Sequence, residues 1–346
     1  MNNANFNLEA VVIIAFLILL FPKNISSIQL DKDSQSCESP FLTQTHSSVN
    51  SSTLSSRSKT LNILTYNVYM LPYFHLLHRS PYRGELLGKL LKDTDYHIIV
   101  FQEVFHWPSR LKLKRWISEN FPYIYGPYDE PVNSIFTSSG VMVASKIRLK
   151  LVKKIFLKNL QCFDKLARKS AYLFEGNVAD YSFYLIATHL QSNDYKESRK
   201  QQIKQIYQEL IAPFDNQEKP FIIAGDLNVD SDNITEYTDM INILQAHDNQ
   251  SQLEGKVTYD EIRNGLARTT KAKCRNLDYI LVHSAINPDS YVRRRVVVFK
   301  NPEDKNYEDL SDHYALEAKI NWELFNRKPE EIKTRDNKQN TYNNFY

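Results

Sequence analysis

The chain has 346 residues, of which 42% are hydrophobic and 24% are charged, and its formal net charge at pH 7 is +3. This composition is typical of a globular protein that can bury a full core, as one large domain or two small ones. The net charge is too small to indicate a dedicated polyanion binder, which usually carries a concentrated basic surface. Three cysteines are too few for a disulfide scaffold but allow one bridge.

The N-terminal segment predicts export. Residues 8–21 are apolar apart from Glu9, and their length suits a signal-peptide core better than a membrane span of about 20 residues. Because no Lys or Arg precedes this stretch, an uncleaved signal anchor is the alternative. We expect residues 1–27 to be a signal peptide or signal anchor. The body is then secreted or extracytoplasmic, either free or anchored to the membrane.

The remainder divides into three parts by composition. Residues 28–59 are rich in Ser and Thr and predict a flexible leader. Residues 60–325 hold the predicted catalytic domain, and residues 326–346 form a polar tail that we expect to be disordered.

Short runs rich in Val, Ile, Tyr and Phe predict buried strands, and apolar residues repeated on one face predict helices. In chain order these are a strand at 61–67, a helix at 84–91, a strand at 97–103, a helix at 109–120, strands at 140–145, 170–176 and 181–189, a helix at 194–211, and strands at 220–226, 277–282 and 314–320. The predicted strands and helices do not alternate strictly along the chain. This arrangement therefore predicts an α/β (α+β) fold, a four-layer αββα sandwich of two packed mixed sheets with outer helices.

A basic segment at 146–158 alternates basic and apolar residues. We interpret it as a strand with one solvated face rather than as a polyanion site. Binding of anionic lipid headgroups is the minor alternative.

Several predicted strands end in a polar residue, so these side chains should converge at one edge of the sheets, where ligand clefts form. The residues are Asn67, Glu103, His189, Asp226 and, just beyond a strand, Asn228. Mg²⁺ takes oxygen ligands and typically uses one or two carboxylates plus a substrate phosphate, which one Glu and one Asn can satisfy. The alternative for Glu103 is a strand-end residue paired with a lysine.

Histidines provide the second half of the candidate site. His189 ends the longest predicted strand, and His313 follows Asp312 just before the last one. A histidine can activate water near neutral pH when a carboxylate orients its ring, and Asp278 is the candidate for that carboxylate. The alternative is that each histidine is a hydrogen-bonded core residue.

Seven motifs in order, TYNVYMLP, FQEVF, GVMVASK, THLQ, GDLNVD, LDYILV and SDHYAL, resemble the endonuclease/exonuclease/phosphatase superfamily over residues 61–320. GDLN, LDY and SDH are shared by nucleases, inositol phosphatases and sphingomyelinases. YNVYMLP, QEVF and THLQ are more similar to the neutral sphingomyelinases.

The resemblance implies a role for each site residue. Glu103 and Asn67, with Asp312 completing the cluster, would hold Mg²⁺ or another divalent cation such as Mn²⁺ or Co²⁺. Asp226 and Asn228 would hold the phosphate and the attacking water. The general base would be His313, oriented by Asp278, and His189 would stabilise the charge on the phosphoryl oxygens. The reaction would release ceramide and phosphocholine from sphingomyelin or a related phospholipid at a membrane surface.

The sequence departs from this resemblance at two places. Residues 298–310 lack the exposed aromatic pair with which similar bacterial sphingomyelinases enter the bilayer interface, so the mode of membrane contact is open. The loop after THLQ lacks a second cysteine, which leaves Cys274 as the candidate partner of Cys162 within the domain.

Two other functions remain open at this stage. One is a secreted Mg²⁺-dependent nuclease that uses the same metal site, although nucleic acid is the less favoured substrate. The other is a catalytically silent binding module on the same fold, which the full set of polar site residues disfavours. We expect a monomer.

Overall fold

A computed structural model describes residues 59–72, 78–128, 137–216, 219–248, 257–269, 273–284, 292–304 and 308–322. The expected signal segment, the Ser/Thr-rich leader up to residue 58 and the polar tail lie outside these ranges. Within them, no helix has both the length and the apolar character needed to cross a bilayer.

The described residues form strands and helices close to the predicted positions. The strands are β1 (Thr60–Asn67), β2 (Ile98–Gln102), β3 (Tyr123–Tyr125), β4 (Met142–Ser145), β5 (Lys150–Phe156), β6 (Ser170–Val178), β7 (Tyr181–His189), β8 (Phe221–Asp226), β9 (Ala246–His247), β10 (Tyr259–Asp260), β11 (Cys274–Arg275), β12 (Asp278–His283), β13 (Val292–Val297) and β14 (Ala315–Asn321). The helices are α1 (Ser80–Leu91), α2 (Trp107–Ile117), α3 (Lys196–Ile206) and α4 (Ile234–Leu244), with a 3₁₀ helix at Cys162–Leu166 and a π turn at Tyr207–Ile211.

Two six-stranded mixed sheets carry the fold. The strand order is β13-β14-β1-β2-β4-β3 in the first sheet and β5-β6-β7-β8-β12-β9 in the second. In each sheet one central pair is parallel, β1 with β2 and β7 with β8, and their neighbours are antiparallel.

The core consists of three apolar layers, which explains why the strands are apolar on both faces. In β1, Leu61 and Ile63 point into the layer between the two sheets, whereas Leu64 and Tyr66 point to the layer beneath α1 and α2. Successive residues of a strand face opposite sides, so one strand serves both layers. A third layer lies between the second sheet and α3 and α4. The predicted four-layer sandwich is confirmed.

The pairing register places the polar strand ends at one edge. His189 at the end of β7 is in parallel register with Asp226 at the end of β8. Asp226 in turn pairs with Asp278, the first residue of the antiparallel strand β12. Three site residues of the second sheet therefore lie side by side.

Some elements differ from the sequence interpretation. The basic segment does form a strand, β5, at the edge of its sheet, as expected. The sequence interpretation did not include α4 or the arginine-rich edge strand β13. Helix α2 starts two residues earlier than predicted because Pro108 lies in its first turn, where the missing N–H costs no hydrogen bond.

The suggested bridge between Cys162 and Cys274 is wrong. Cys162 is a free, exposed thiol. Cys274 is disulfide-bonded, and Cys162 is not its partner.

Candidate active site

All eight residues that the sequence singled out lie in one cluster at the common edge of the two sheets. Its most buried part is a histidine–aspartate pair, in which His313 Nδ1 lies 2.7 Å from Asp278 Oδ2. The backbone N–H of Asp278 donates to Thr258 Oγ1 at 3.2 Å, which holds the start of β12. Because Nδ1 is engaged by Asp278, only Nε2 of His313 is left to face the cleft.

Burial by itself lowers the pKa of His313, but the negative charges of Asp278 and Asp226 outweigh it and raise the pKa well above its usual value. Burial also raises the pKa of Asp278 to about 6, although the nearby His313 opposes this shift. We expect the two groups to titrate together, so that the charges around them decide which one carries the proton.

Asp226 is the centre of the cluster. Its Oδ2 accepts a hydrogen bond from Asn67 Nδ2 at 3.0 Å and lies 3.6 Å from His189 Nε2 and 3.7 Å from His313 Nε2. Its Oδ1 accepts the backbone N–H of Asn228 at 2.9 Å. One carboxylate therefore joins both sheets, because Asn67 belongs to β1 and Asp226 to β8.

Glu103 follows β2 in a left-handed conformation, with φ at 58°, which turns its side chain into the cleft. Burial, reinforced by the charge of Asp312, raises the pKa of Glu103 to about 8, against a hydrogen bond from Asn67. Its Oε2 is buried without a hydrogen-bond partner. Within the described part of the chain no ion pair joins Glu103 to a lysine, so the structure disfavours the lysine-paired alternative.

An unpartnered, buried carboxylate oxygen beside a second carboxylate fits a hard divalent cation, since the cation would offset the desolvation and the mutual repulsion. The pKa of Asp312 is raised by burial, although His313 and Arg83 lower it. Glu103, Asp312 and Asn67 are thus the residues that would hold the ion. Asp226, Asp278 and His313 also offer ligand atoms within 4.8 Å of one another, and Asp278 Oδ1 is buried without a hydrogen-bond partner.

The family model named Endonuclease/Exonuclease/phosphatase family matches residues 64–313, which include the whole cluster and all strands of the two sheets except β14 and the first residues of β1. The chain belongs to this family. The family is hydrolytic, and the chain is accordingly an enzyme, a phosphodiesterase similar to the sphingomyelinases.

Similar proteins support this placement. Sphingomyelinase C of Bacillus cereus is 25% identical over 310 residues, which are 79% of this chain and 92% of the relative. The crystal structure of sphingomyelinase C from Streptomyces griseocarneus covers 76% of this chain and 99% of its own, with a TM-score of 0.65 and 23% identity. A Staphylococcus aureus beta toxin mutant with bound magnesium ions covers 75% and 98%, with a TM-score of 0.65 and 23% identity. These likenesses to solved structures concern the fold.

The sequence did not identify Lys169 as a residue of the site. It is 1% exposed, and its Nζ lies 2.6 Å from the carbonyl oxygen of Leu190, 3.0 Å from Asp164 Oδ2 and 3.2 Å from His189 Nε2. Burial, with the charge of Lys169, lowers the pKa of His189 well below its usual value. Lys169 therefore disfavours a positive charge on the ring of His189.

Tyr259 was also missed. Its backbone forms a β-bridge with His313, and the two rings lie with centroids 4.9 Å apart in a T-shaped arrangement. The guanidinium of Arg275 lies 4.7 Å from the centroid of the same Tyr259 ring. No sequence signal marked either residue, because a lysine before a strand and a tyrosine in a short bridge are both common on protein surfaces.

Proposed function

We propose that this enzyme is a divalent-cation-dependent sphingomyelinase that hydrolyses sphingomyelin to ceramide and phosphocholine. The observation that carries the proposal is the His313–Asp278 pair facing Asp226 and His189 in a buried polar cluster, with Glu103 and Asp312 beside it. Sphingomyelinase C, a relative aligned over 92% of its own length, supports the choice of substrate.

His313 would act as the general base through Nε2. It accepts a proton from the attacking water while Asp278 holds Nδ1 and stabilises the imidazolium that forms. The water oxygen forms a bond to phosphorus, the bond from phosphorus to the ceramide oxygen breaks, and a proton returns to that oxygen.

The remaining residues would bind and orient the phosphate. Asn228 and Asp226 position the water and phosphate, and Lys169 together with neutral His189 offsets charge on the phosphoryl oxygens. A divalent cation at Glu103, Asp312 and Asn67 would polarise a phosphoryl oxygen and offset the carboxylate charges that hold the proton on His313.

The test incubates purified protein with sphingomyelin vesicles and Mg²⁺ and measures phosphocholine release. We expect release that EDTA and His313→Ala each abolish, while His247→Ala, a matched substitution in β9 outside the cluster, retains it. A parallel digestion of plasmid DNA tests the nuclease alternative. DNA cleavage without phosphocholine release would replace the proposal with a nuclease, and neither activity would favour a silent binding module.

We further propose that the chain is exported, on the basis of the apolar residues 8–21. Expression of the full chain in a secreting host, followed by N-terminal sequencing of protein from the medium, tests this. Retention of the chain inside the host cell would contradict it.

A further inference from the structure

Four large apolar side chains are exposed around the edge of the sheets that carries the active-site cluster. They are Trp107 (57% exposed), Phe163 (41%), Tyr195 (38%) and Ile234 (69%). We call these four residues the apolar rim. Large apolar side chains that share one surface region mark interaction sites more often than scattered ones do.

The topology explains why three of the four lie near the cluster. Trp107 is the first residue of α2 and follows Glu103 by four residues, so the two lie within about 14 Å along the chain. Tyr195 immediately precedes α3 and follows His189 by six residues, and Ile234 begins α4 six residues after Asn228, so each of these lies within about 21 Å. Helices α2 and α4 therefore start with an exposed apolar side chain and α3 directly follows one, whereas α1, which follows β1, starts with the buried Ser80.

Polar contacts connect the three rim segments of the second sheet. Asp164, next to Phe163, accepts the backbone N–H of Ser192 at 2.7 Å, in the loop that carries Tyr195. Arg199 of α3 binds Glu236 of α4 through two hydrogen bonds of 2.6 and 3.1 Å, and Asn233, next to Ile234, donates to Glu236 at 3.2 Å. These bonds, of which the two between Arg199 and Glu236 are buried, hold the rim segments in fixed positions relative to one another.

The segment 298–310, which resembling enzymes use for membrane contact, is described at residues 298–304 and 308–310. Phe299 in that segment is buried against Tyr66, with ring centroids 5.6 Å apart. Among the described residues at 298–304 and 308–310, no aromatic side chain is exposed.

The charges around the rim decide what kind of surface it fits. The exposed charged side chains within five positions of the four rim residues comprise five basic residues and three acidic ones, namely Lys112, Lys158, Lys165, Arg168, Lys196, Asp194, Glu197 and Asp232. The excess of two positive charges is smaller than the clusters of about four to eight basic residues that bind strongly anionic membranes. Exposed aromatic and aliphatic side chains within a nearly neutral charge pattern fit the interface of a zwitterionic bilayer.

We propose that the apolar rim is the membrane-contact surface of this enzyme and inserts into the interface of zwitterionic phospholipid bilayers. The inference rests on the proposed function for the identity of the lipid substrate. Insertion of the rim places the common edge of the two sheets against the plane of the headgroups. The active-site cluster lies at that edge. The scissile phosphate lies at that depth, so binding at the rim delivers the substrate to the site.

The experiment measures binding without turnover. Full-length protein in EDTA is sedimented with vesicles of phosphatidylcholine and sphingomyelin, and the double variant Trp107→Ala/Ile234→Ser is compared with Phe156→Ala. Phe156 is 47% exposed on the edge strand β5, and its substitution removes one large exposed apolar side chain outside the rim. We expect the double variant to partition about a hundredfold more weakly, since each buried side chain contributes about tenfold, and the control to stay within about twofold of the parent.

Activity measurements separate this inference from the proposed function. The double variant should lose more activity on vesicles than on a soluble phosphodiester, and its thermal midpoint reports whether it is folded. Partitioning of the double variant equal to that of the parent or of Phe156→Ala, or binding that requires anionic lipid, would overturn the inference. Hydrolysis of detergent-dispersed sphingomyelin by the parent protein is measured in a separate assay. No hydrolysis there would contradict the proposed function, whatever the vesicle-binding result.

Discussion

At the residue scale, the role of Asp278 depends on a single hydrogen bond to His313 of 2.7 Å. Asp278→Asn keeps the shape of the side chain but removes the charge that orients and stabilises the imidazolium. We predict that kcat on sphingomyelin falls by about 10²–10⁴, the usual contribution of a positioned acid–base group. The measurement is steady-state turnover at saturating Mg²⁺, with Asp239→Asn on the surface of α4 as the control. A change below about threefold would contradict the role of Asp278.

The second prediction at this scale concerns Lys169. Lys169→Met keeps the length of the side chain and removes its charge beside His189. We expect kcat to fall by about 10²–10³, the usual cost of removing one positioned electrostatic group near an anionic transition state, here through the charge of Lys169 beside His189. The pKa of His189 should rise at the same time, because the lysine charge helps to lower it. Nuclear magnetic resonance titration of the His189 ring measures this shift, and an unchanged His189 titration would show that Lys169 is only structural.

At the element scale, β7 and β8 approach so closely that position 225 requires glycine. A Cβ on Gly225 would lie 2.0 Å from the carbonyl oxygen of Thr188. We predict that Gly225→Ala lowers the free energy of unfolding by about 1–3 kcal/mol and displaces the neighbouring Asp226, which reduces turnover. Urea unfolding and kcat measure the two effects. Gly265→Ala is the control, because its nearest neighbour would lie 3.5 Å away, and equal stability of both variants would refute the argument.

The free energy of unfolding depends on pH through His97, which directly precedes β2 and contacts β1. The backbone N–H of Asn62 donates to His97 Nδ1 at 3.0 Å, and burial, with the charge of Lys146, lowers the pKa of His97 below 6.5. The unfolded chain therefore takes up the proton more readily than the folded one. This stability contribution is complete above pH 6.5 and is lost as the pH falls from 6.5 through the lower pKa of the folded state.

We predict that His97→Asn, which keeps an acceptor near the position of Nδ1, reduces the loss of stability on acidification. The free energy of unfolding from urea titrations at neutral and mildly acidic pH measures it. If the parent and the variant lose the same stability over this range, His97 does not contribute.

At the scale of the whole molecule, both sheets place acidic side chains at their shared edge, and without a cation their repulsion and burial destabilise the fold. We expect Mg²⁺ at about 100 times its dissociation constant to stabilise the protein by about 2.7 kcal/mol, or roughly 5–10 °C in thermal midpoint. Calorimetry with EDTA and with Mg²⁺ measures the shift. Glu103→Gln should abolish most of it, and a full shift in that variant would place the ion elsewhere.

Much of the site was predictable because family motifs occur at strand ends. Asn67, Glu103, His189 and Asp226 could be selected from the sequence since an apolar run that stops at a polar residue indicates both the strand and the residue at its edge. Asp278, at the start of a strand, was selected from the LDY motif. Their roles in the reaction stay predictions that the variants above test. Lys169 and Tyr259 could not be selected, because each acquires its position through contacts with residues more than ten positions away in the chain.

The sequence by itself determined the fold class, the order of most elements and the chemical types at the edge of the sheets, because strand period and strand-end residues are local properties. The tertiary structure alone decided which side chains meet. The approach of Asn67 to Asp226 across 159 positions, the unpartnered oxygen of Glu103 and the burial of Lys169 follow from how two sheets pack. The apolar rim likewise depends on tertiary structure, because its four residues lie on four segments that are far apart in the chain. Distances and desolvation depend on non-local packing, which no local pattern encodes.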